Sequence, residues 1–253
     1  MPKTNVTFLL DRSGSMENIK DDTIGAFNAY LDGLTAPDMT FSLVQFDSMG
    51  LDKVCVRVEP AKAPRLDNSN FQPRGGTPLI DASYKTIKAV EASLNGDTET
   101  QVVICIQTDG HENESREYGW DDLSALIKEK TALGWQFNFM GASIDAYDQG
   151  RKMGLSAAQT MSYNAQDAAA TRAAFSNRGV STNLYASGAT MDIHIGSAEK
   201  RAAGDVYDPD LKGPAPYSKP APVATPRPPY VKPTITQVPK PRTRTPAVDD
   251  FKL

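Results

Sequence analysis

Asn5-Val6-Thr7-Phe8-Leu9-Leu10-Asp11-Arg12-Ser13-Gly14-Ser15 is an apolar run that stops on an acid and breaks into a turn of small residues. Residues 5–10 have the length and apolar density of a strand buried on both faces, as in the middle of a parallel sheet. After the turn the period changes. Ile24, Phe27, Leu31 and Leu34 recur at helical spacing, and Gly33 and Pro37 close the helix. A buried strand, a turn and an amphipathic helix form half of a strand–helix–strand unit, and the chain goes on to repeat the pattern.

Strands are predicted at 39–46 and 54–58, in sequence with no helix between them, and then at 102–106, 137–140 and 160–163. A loop with three prolines and a Gly-Gly pair occupies 60–76. Helices are predicted at 79–94, where Leu79, Ala82, Ile87, Val90 and Leu94 roughly share a face, at 121–133 with Asp121 or Asp122 as the cap, at 145–153 and at 166–177. This alternation predicts an α/β fold: a doubly wound, mostly parallel sheet covered on both faces. The 39–46 and 54–58 strands join through a hairpin, which puts one antiparallel strand at the sheet edge. Ligands of such sheets bind beyond the carboxyl ends of the strands. Asp11 and Asp109, the latter in Thr108-Asp109-Gly110, both stand at such ends.

The chain has 253 residues and is 40% hydrophobic, enough for a buried core, but two-thirds of its 18 prolines lie from Pro209 onward. We therefore expect a domain over 1–185 and a proline-rich basic tail over 186–253. Residues 213–246 have the composition of extended, disordered chain. Residues 248–253 mix acids with Phe251 and Leu253, like a short docking end. Residues 206–253 hold 8 basic and 4 acidic side chains, a charge of +4, which leaves the body at −8 with 19 basic and 27 acidic. An acidic body argues against a nucleic-acid-binding core, and leaves only weak contact through Lys240, Arg242 and Arg244 of the tail. Cys55 and Cys105 sit in apolar runs, as thiols do in a reducing compartment. The apolar run near residue 1 is too short for a signal peptide, and no stretch has the length of a membrane span. The expectation is a soluble, cytoplasmic monomer.

Three fragments supply oxygen ligands: Asp11, Ser13 and Ser15; Thr77 in Gly75-Gly76-Thr77-Pro78-Leu79; and Asp109. Two carboxylates and three hydroxyls are the donors that a hard cation such as Mg²⁺ takes, and such an ion keeps affinity for one more carboxylate from outside. Each residue also has an ordinary use. Asp11, Ser13 and Ser15 are good helix caps, and Thr77 could cap the helix beginning near Pro78. Asp109 suits an Asp-Gly turn, and Asp81 a helix's first turn, offsetting the dipole. The occurrence of Asp11, Ser13 and Ser15 together with Thr77 and Asp109, in this order and context, favours the metal. His111, Glu112 and Glu114 follow Asp109, but the only other histidine is His194 and no Cys/His ligand spacing exists.

The Asp-x-Ser-x-Ser spacing of Asp11, Ser13 and Ser15, with Thr77 and Asp109, resembles the metal-ion-dependent adhesion site of the von Willebrand factor A family. Asp-Arg-Ser-Gly-Ser-Met and Gly-Gly-Thr-Pro-Leu-Ile-Asp-Ala are similar to phrases of its bacterial and phage members, and the order of elements agrees over about the first 180 residues. The resemblance implies one Mg²⁺ (or Mn²⁺) held by Asp11, Ser13, Ser15, Thr77 and Asp109, and a partner protein that offers an Asp or Glu carboxylate to the ion. In some intracellular members that partner is an ATPase of the AAA+ type. It also implies movement of the last helix with ligand, and a strand order that keeps Cys55 and Cys105 too far apart to bond. On this reading the chain is a binding module, not an enzyme, with Arg12, Gly76, His111, Glu112 and Tyr118 on the rim of the binding face.

Two other functions stay open. One is a metal-dependent phosphatase or hydrolase: Arg12 and Arg74 could hold phosphate, although the residue two after Asp11 is not a second acid and no phosphate loop is present. The other is an assembly scaffold that works through its proline-rich tail.

Overall fold

In the computed structural model residues 3–205 are described. The expected tail from 206 onward lies outside the described residues. Six strands, β1 (Thr4–Asp11), β2 (Met39–Asp47), β3 (Gly50–Val58), β4 (Gln101–Thr108), β5 (Gln136–Ala142) and β6 (Thr160–Tyr163), form one sheet in the order β3-β2-β1-β4-β5-β6. Every pairing is parallel except β2 with β3, which is antiparallel and lies at the edge. The helices are α1 (Lys20–Asp32), α2 (Leu79–Leu94), α3 (Trp120–Ala132), α4 (Ala146–Lys152), α5 (Ala168–Ala186) and α6 (Ser197–Ala202). The doubly wound α/β architecture expected from the alternation is the one that forms.

Side-chain alternation divides the core into two layers. Val6, Phe8 and Leu10 of β1 face α1 and α5, while Leu9 faces α2 and α3. Phe8 lies edge-on to Phe27 of α1, with centroids 5.4 Å apart, and stacks on Phe175 of α5 at 5.8 Å. Aromatic pairs of this geometry contribute beyond their buried area, and they anchor the two helices over the strand that ends at Asp11. The two helices also approach closely where the last turn of α1 crosses the middle of α5. A Cβ placed on Gly179 of α5 would press into the Tyr30 carbonyl oxygen of α1.

The chain departs from expectation after α5 begins. This helix runs to Ala186 rather than to 177, and its continuation carries the fully buried Arg178, whose polarity masks the apolar period. Packed structure continues past the expected boundary at 185 as far as Asp205. Ile193, Ile195 and Ala203 are buried. Glu199 pairs with Arg178, Lys200 Nζ donates to the Ala157 carbonyl at 2.6 Å, and Asp205 accepts from Tyr147 Oη at 2.5 Å and from the Ser162 amide at 3.0 Å. The segment is poor in apolar residues and is held largely by polar bonds, so hydrophobic periodicity does not reveal it.

Cys55 on β3 and Cys105 on β4 are separated by β2 and β1, and both are free thiols. Among the described residues no helix is long and apolar enough to cross a membrane.

Candidate metal centre

β1 and β4 lie side by side in parallel, so Asp11 and Thr108 finish at the same sheet edge. The Asp11 side chain is fully buried. Its Oδ1 accepts from the Ser13 amide at 2.6 Å, which folds the loop back over the strand end. Its Oδ2 accepts from Thr108 Oγ1 at 2.5 Å. The Ser13 and Ser15 hydroxyls lie 3.2 Å apart, and Ser15 Oγ donates to Asp109 Oδ1 at 2.6 Å. The Thr77 hydroxyl reaches the same place from the third loop: a Cβ built on Gly110 would lie 3.0 Å from Thr77 Oγ1 and 3.7 Å from Ser15 Oγ. All five residues singled out in the sequence are therefore brought together.

The helix-cap uses do not account for them. Ser13 makes no side-chain cap bond to the 3-10 turn Gly14–Ile19 that follows. The start of α2 is served from the β4–α3 loop instead: Glu112 Oε2 accepts from the Ile80 amide at 2.8 Å and Ser115 Oγ from the Asp81 amide at 3.0 Å. Asp81 does more than offset a helix dipole. Its buried carboxylate gathers the amides of Arg116, Glu117 and Tyr118 and so shapes that loop.

The electrostatics suit a cation. Burial pushes the Asp11 carboxyl up from 3.8 to about 7, against the lowering effect of its bonds from Thr108 and Ser13, and Asp109 adds repulsion. Asp109 is also raised, by burial first, with the Ser15 bond opposing. Among the described residues neither acid is in an ion pair: the Asp11 and Asp109 carboxylates accept from hydroxyls and from the Ser13 amide. Two buried or half-buried acids bonded to hydroxyls and an amide carry negative charge that a divalent ion would neutralise. The donor set of two carboxylates and three hydroxyls fits such an ion. Among the described residues no group of three His, Cys, Asp or Glu side chains forms an alternative metal site.

Three of the five expected rim residues are used elsewhere. The Arg12 side chain is turned inward, 8% exposed, with Nη2 2.9 Å from Asp47 Oδ2 and Nη1 3.0 Å from Asp52 Oδ2. Glu112 is occupied by the α2 amide and by its own loop, Oε1 accepting from the amides of Glu114 and Ser115. The Tyr118 ring stacks on Tyr84 of α2 with centroids 3.7 Å apart. Gly76 remains half-exposed and His111 exposed, and Gly76 is tied to the β2–β3 hairpin by Ser48, whose Oγ accepts from the Gly76 amide at 3.0 Å. Gly75 adopts φ +67°, a left-handed conformation that favours glycine, beside the same serine. Sequence reasoning missed Thr108 and Asp47. Thr108 was within reach: strand alternation puts it on the face of Asp11 once β1 and β4 are neighbours.

No protein-family model and no curated protein matches this sequence. Solved structures do share its fold. A von Willebrand factor type A protein from Catenulispora acidiphila superposes with a TM-score of 0.57 at 17% identity, covering 72% of this chain and 43% of that one. Proximal thread matrix protein 1 from the mussel byssus gives 0.53 at 13%, covering 69% and 46%. The D319A mutant of the PilB minor pilin from Streptococcus sanguinis gives 0.53 at 11%, covering 75% and 64%. This chain spans less than two-thirds of the length of each. At such identities the likeness shows the fold alone, and the fold is that of a von Willebrand factor A domain.

Proposed function

We propose that this chain is a divalent-cation-dependent protein-binding module of the cytoplasm that grips a partner through an Asp or Glu carboxylate. The observation that carries the reading is the convergence of Asp11, Ser13, Ser15, Thr77 and Asp109, with the Ser13 hydroxyl unused as a cap and two acids that, among the described residues, bond hydroxyls and an amide rather than a cation. Asp11 and Asp109 supply the negative charge that attracts the ion, and Ser13, Ser15 and Thr77 complete its shell with neutral oxygens. A bound Mg²⁺ or Mn²⁺ would present an open position to the partner's carboxylate. Binding rather than hydrolysis is favoured because Arg12 is committed to Asp47 and Asp52, and Arg74 Nε to Asp47, instead of standing free for phosphate.

The test is a calorimetric titration of Mg²⁺ and Mn²⁺ into metal-free protein, with Asp109→Ala and Ser15→Ala alongside. One ion bound by the wild type, and lost or strongly weakened in both variants, supports the site. Binding that survives both substitutions places the ion elsewhere and removes the reading. A generic phosphatase assay on the metal-loaded protein should give no turnover above a metal-only control. Deleting residues 206–253 should leave partner capture intact; its loss would shift the function to the tail.

A further inference from the structure

We infer that Asp47, which belongs to none of the three metal-donor loops, is the positioning residue that fixes two of them, those of Ser13 and Thr77, relative to each other. The inference rests on the metal-binding reading above. Asp47 closes β2 and is fully buried. Its Oδ2 accepts from Arg12 Nε at 3.0 Å and lies 2.9 Å from Arg12 Nη2. The same oxygen accepts from Arg74 Nε at 2.9 Å. Its Oδ1 accepts from the Met49 amide at 2.7 Å.

Arg12 stands between the donors Asp11 and Ser13, and Arg74 leads directly into Gly75-Gly76-Thr77. One buried carboxylate thus holds a residue of each loop. Backbone bonds run beside this clamp, from the Arg74 amide to the Arg12 carbonyl at 2.8 Å and from the Gly14 amide to the Gly75 carbonyl at 2.9 Å. Guanidinium groups are planar forks with fixed donor directions, so the clamp sets orientation as well as distance. Arg12 Nη1 extends it to Gln45 Oε1 at 3.1 Å and to Asp52 at 3.0 Å, anchoring the clamp in the edge hairpin.

The consequence is ion selectivity. Mg²⁺ demands near-ideal octahedral geometry, whereas Ca²⁺ tolerates a looser, larger shell. A fixed separation between the Ser13 and Thr77 hydroxyls favours Mg²⁺. Asp47→Asn keeps the shape of the side chain but removes the charge that holds both guanidinium groups. Groups that orient metal ligands typically contribute about ten- to a hundredfold in affinity.

The experiment titrates Mg²⁺ and Ca²⁺ separately into wild type, Asp47→Asn, Arg74→Ala and Arg74→Lys, and follows hydrogen exchange of the Gly14 amide without metal. Arg74→Ala leaves the buried Arg12–Asp47 pair intact, so it tests the clamp even where Asp47→Asn does not fold. We expect Asp47→Asn to weaken Mg²⁺ by about ten- to a hundredfold and Ca²⁺ by a smaller factor, with faster Gly14 exchange. Arg74→Ala should move both readouts the same way to a lesser extent, and Arg74→Lys should recover part of the loss. Equal weakening of both ions, or unchanged Mg²⁺ affinity in a folded variant, overturns the inference. If the wild type binds no ion, the metal reading fails; faster Gly14 exchange in Asp47→Asn then still supports the clamp, and unchanged exchange overturns it.

Discussion

Asp11 is fully buried at the end of β1, with its carboxyl pushed from 3.8 to about 7, and Asp11→Asn turns that perturbation into a measurable quantity. The folded protein holds this proton more tightly than the unfolded chain. The wild type therefore loses stability as pH rises from about 4 to about 7 and stays at the lower level above it. The whole gap corresponds to about 4 kcal/mol as an upper limit. An asparagine carries no charge to desolvate and keeps an oxygen for the Ser13 amide. Its NH₂, however, would face Thr108 Oγ1, which now donates and would have to turn to accept. One rearranged hydrogen bond costs about 1 kcal/mol.

The variant should consequently be more stable than metal-free wild type by about 2–3 kcal/mol at pH 8, and equal or slightly less stable at pH 4. Mg²⁺ closes that gap. At a hundredfold excess over Kd it adds about 2.7 kcal/mol to the wild type and little to the variant. Urea denaturation at pH 4 and pH 8, each in EDTA and in Mg²⁺, reads all four conditions. A variant less stable than wild type at pH 8 in EDTA would show that Asp11 is not a buried charge awaiting a cation. Equal Mg²⁺ stabilisation of both proteins would show that Asp11 does not hold the ion.

Two further outcomes test the frame around the site. Gly179→Ala forces a Cβ into the Tyr30 carbonyl and should cost about 1–3 kcal/mol. Gly25→Ala, on an exposed part of α1 with open space, should instead stabilise by about 0.5–1 kcal/mol. Equal denaturation midpoints for the two would mean that α1 and α5 are not held in the close contact described. Glu199→Ala leaves the fully buried Arg178 without its carboxylate and should destabilise by about 3 kcal/mol, read in urea. An unchanged midpoint would mean that residues 187–205 add nothing to the domain.

The sequence carries the strands well because β1 and β4 are buried on both faces and read as short, mainly apolar runs. It carries α2 equally well, since an amphipathic helix prints its buried face at regular intervals. The predicted bounds 79–94 are those of the structure. It reads α5 less well, because Arg178 and Thr182 occupy buried positions, and the apolar period ends before the helix does.

By itself the sequence determined the alternation of strands and helices and the antiparallel hairpin at the edge, and it singled out five oxygen-bearing side chains in three loops, all local in period or motif. Only the tertiary structure decided what those donors touch. Thr108 bonds Asp11 across 97 residues, Arg12 turns inward to Asp47 across 35, and Glu112 rather than Thr77 caps α2 across 32. Such pairs depend on which strands lie side by side and which loops meet above them. Periodicity along the chain records how each segment is buried, but not its neighbour, and that choice follows from packing the whole sheet at once.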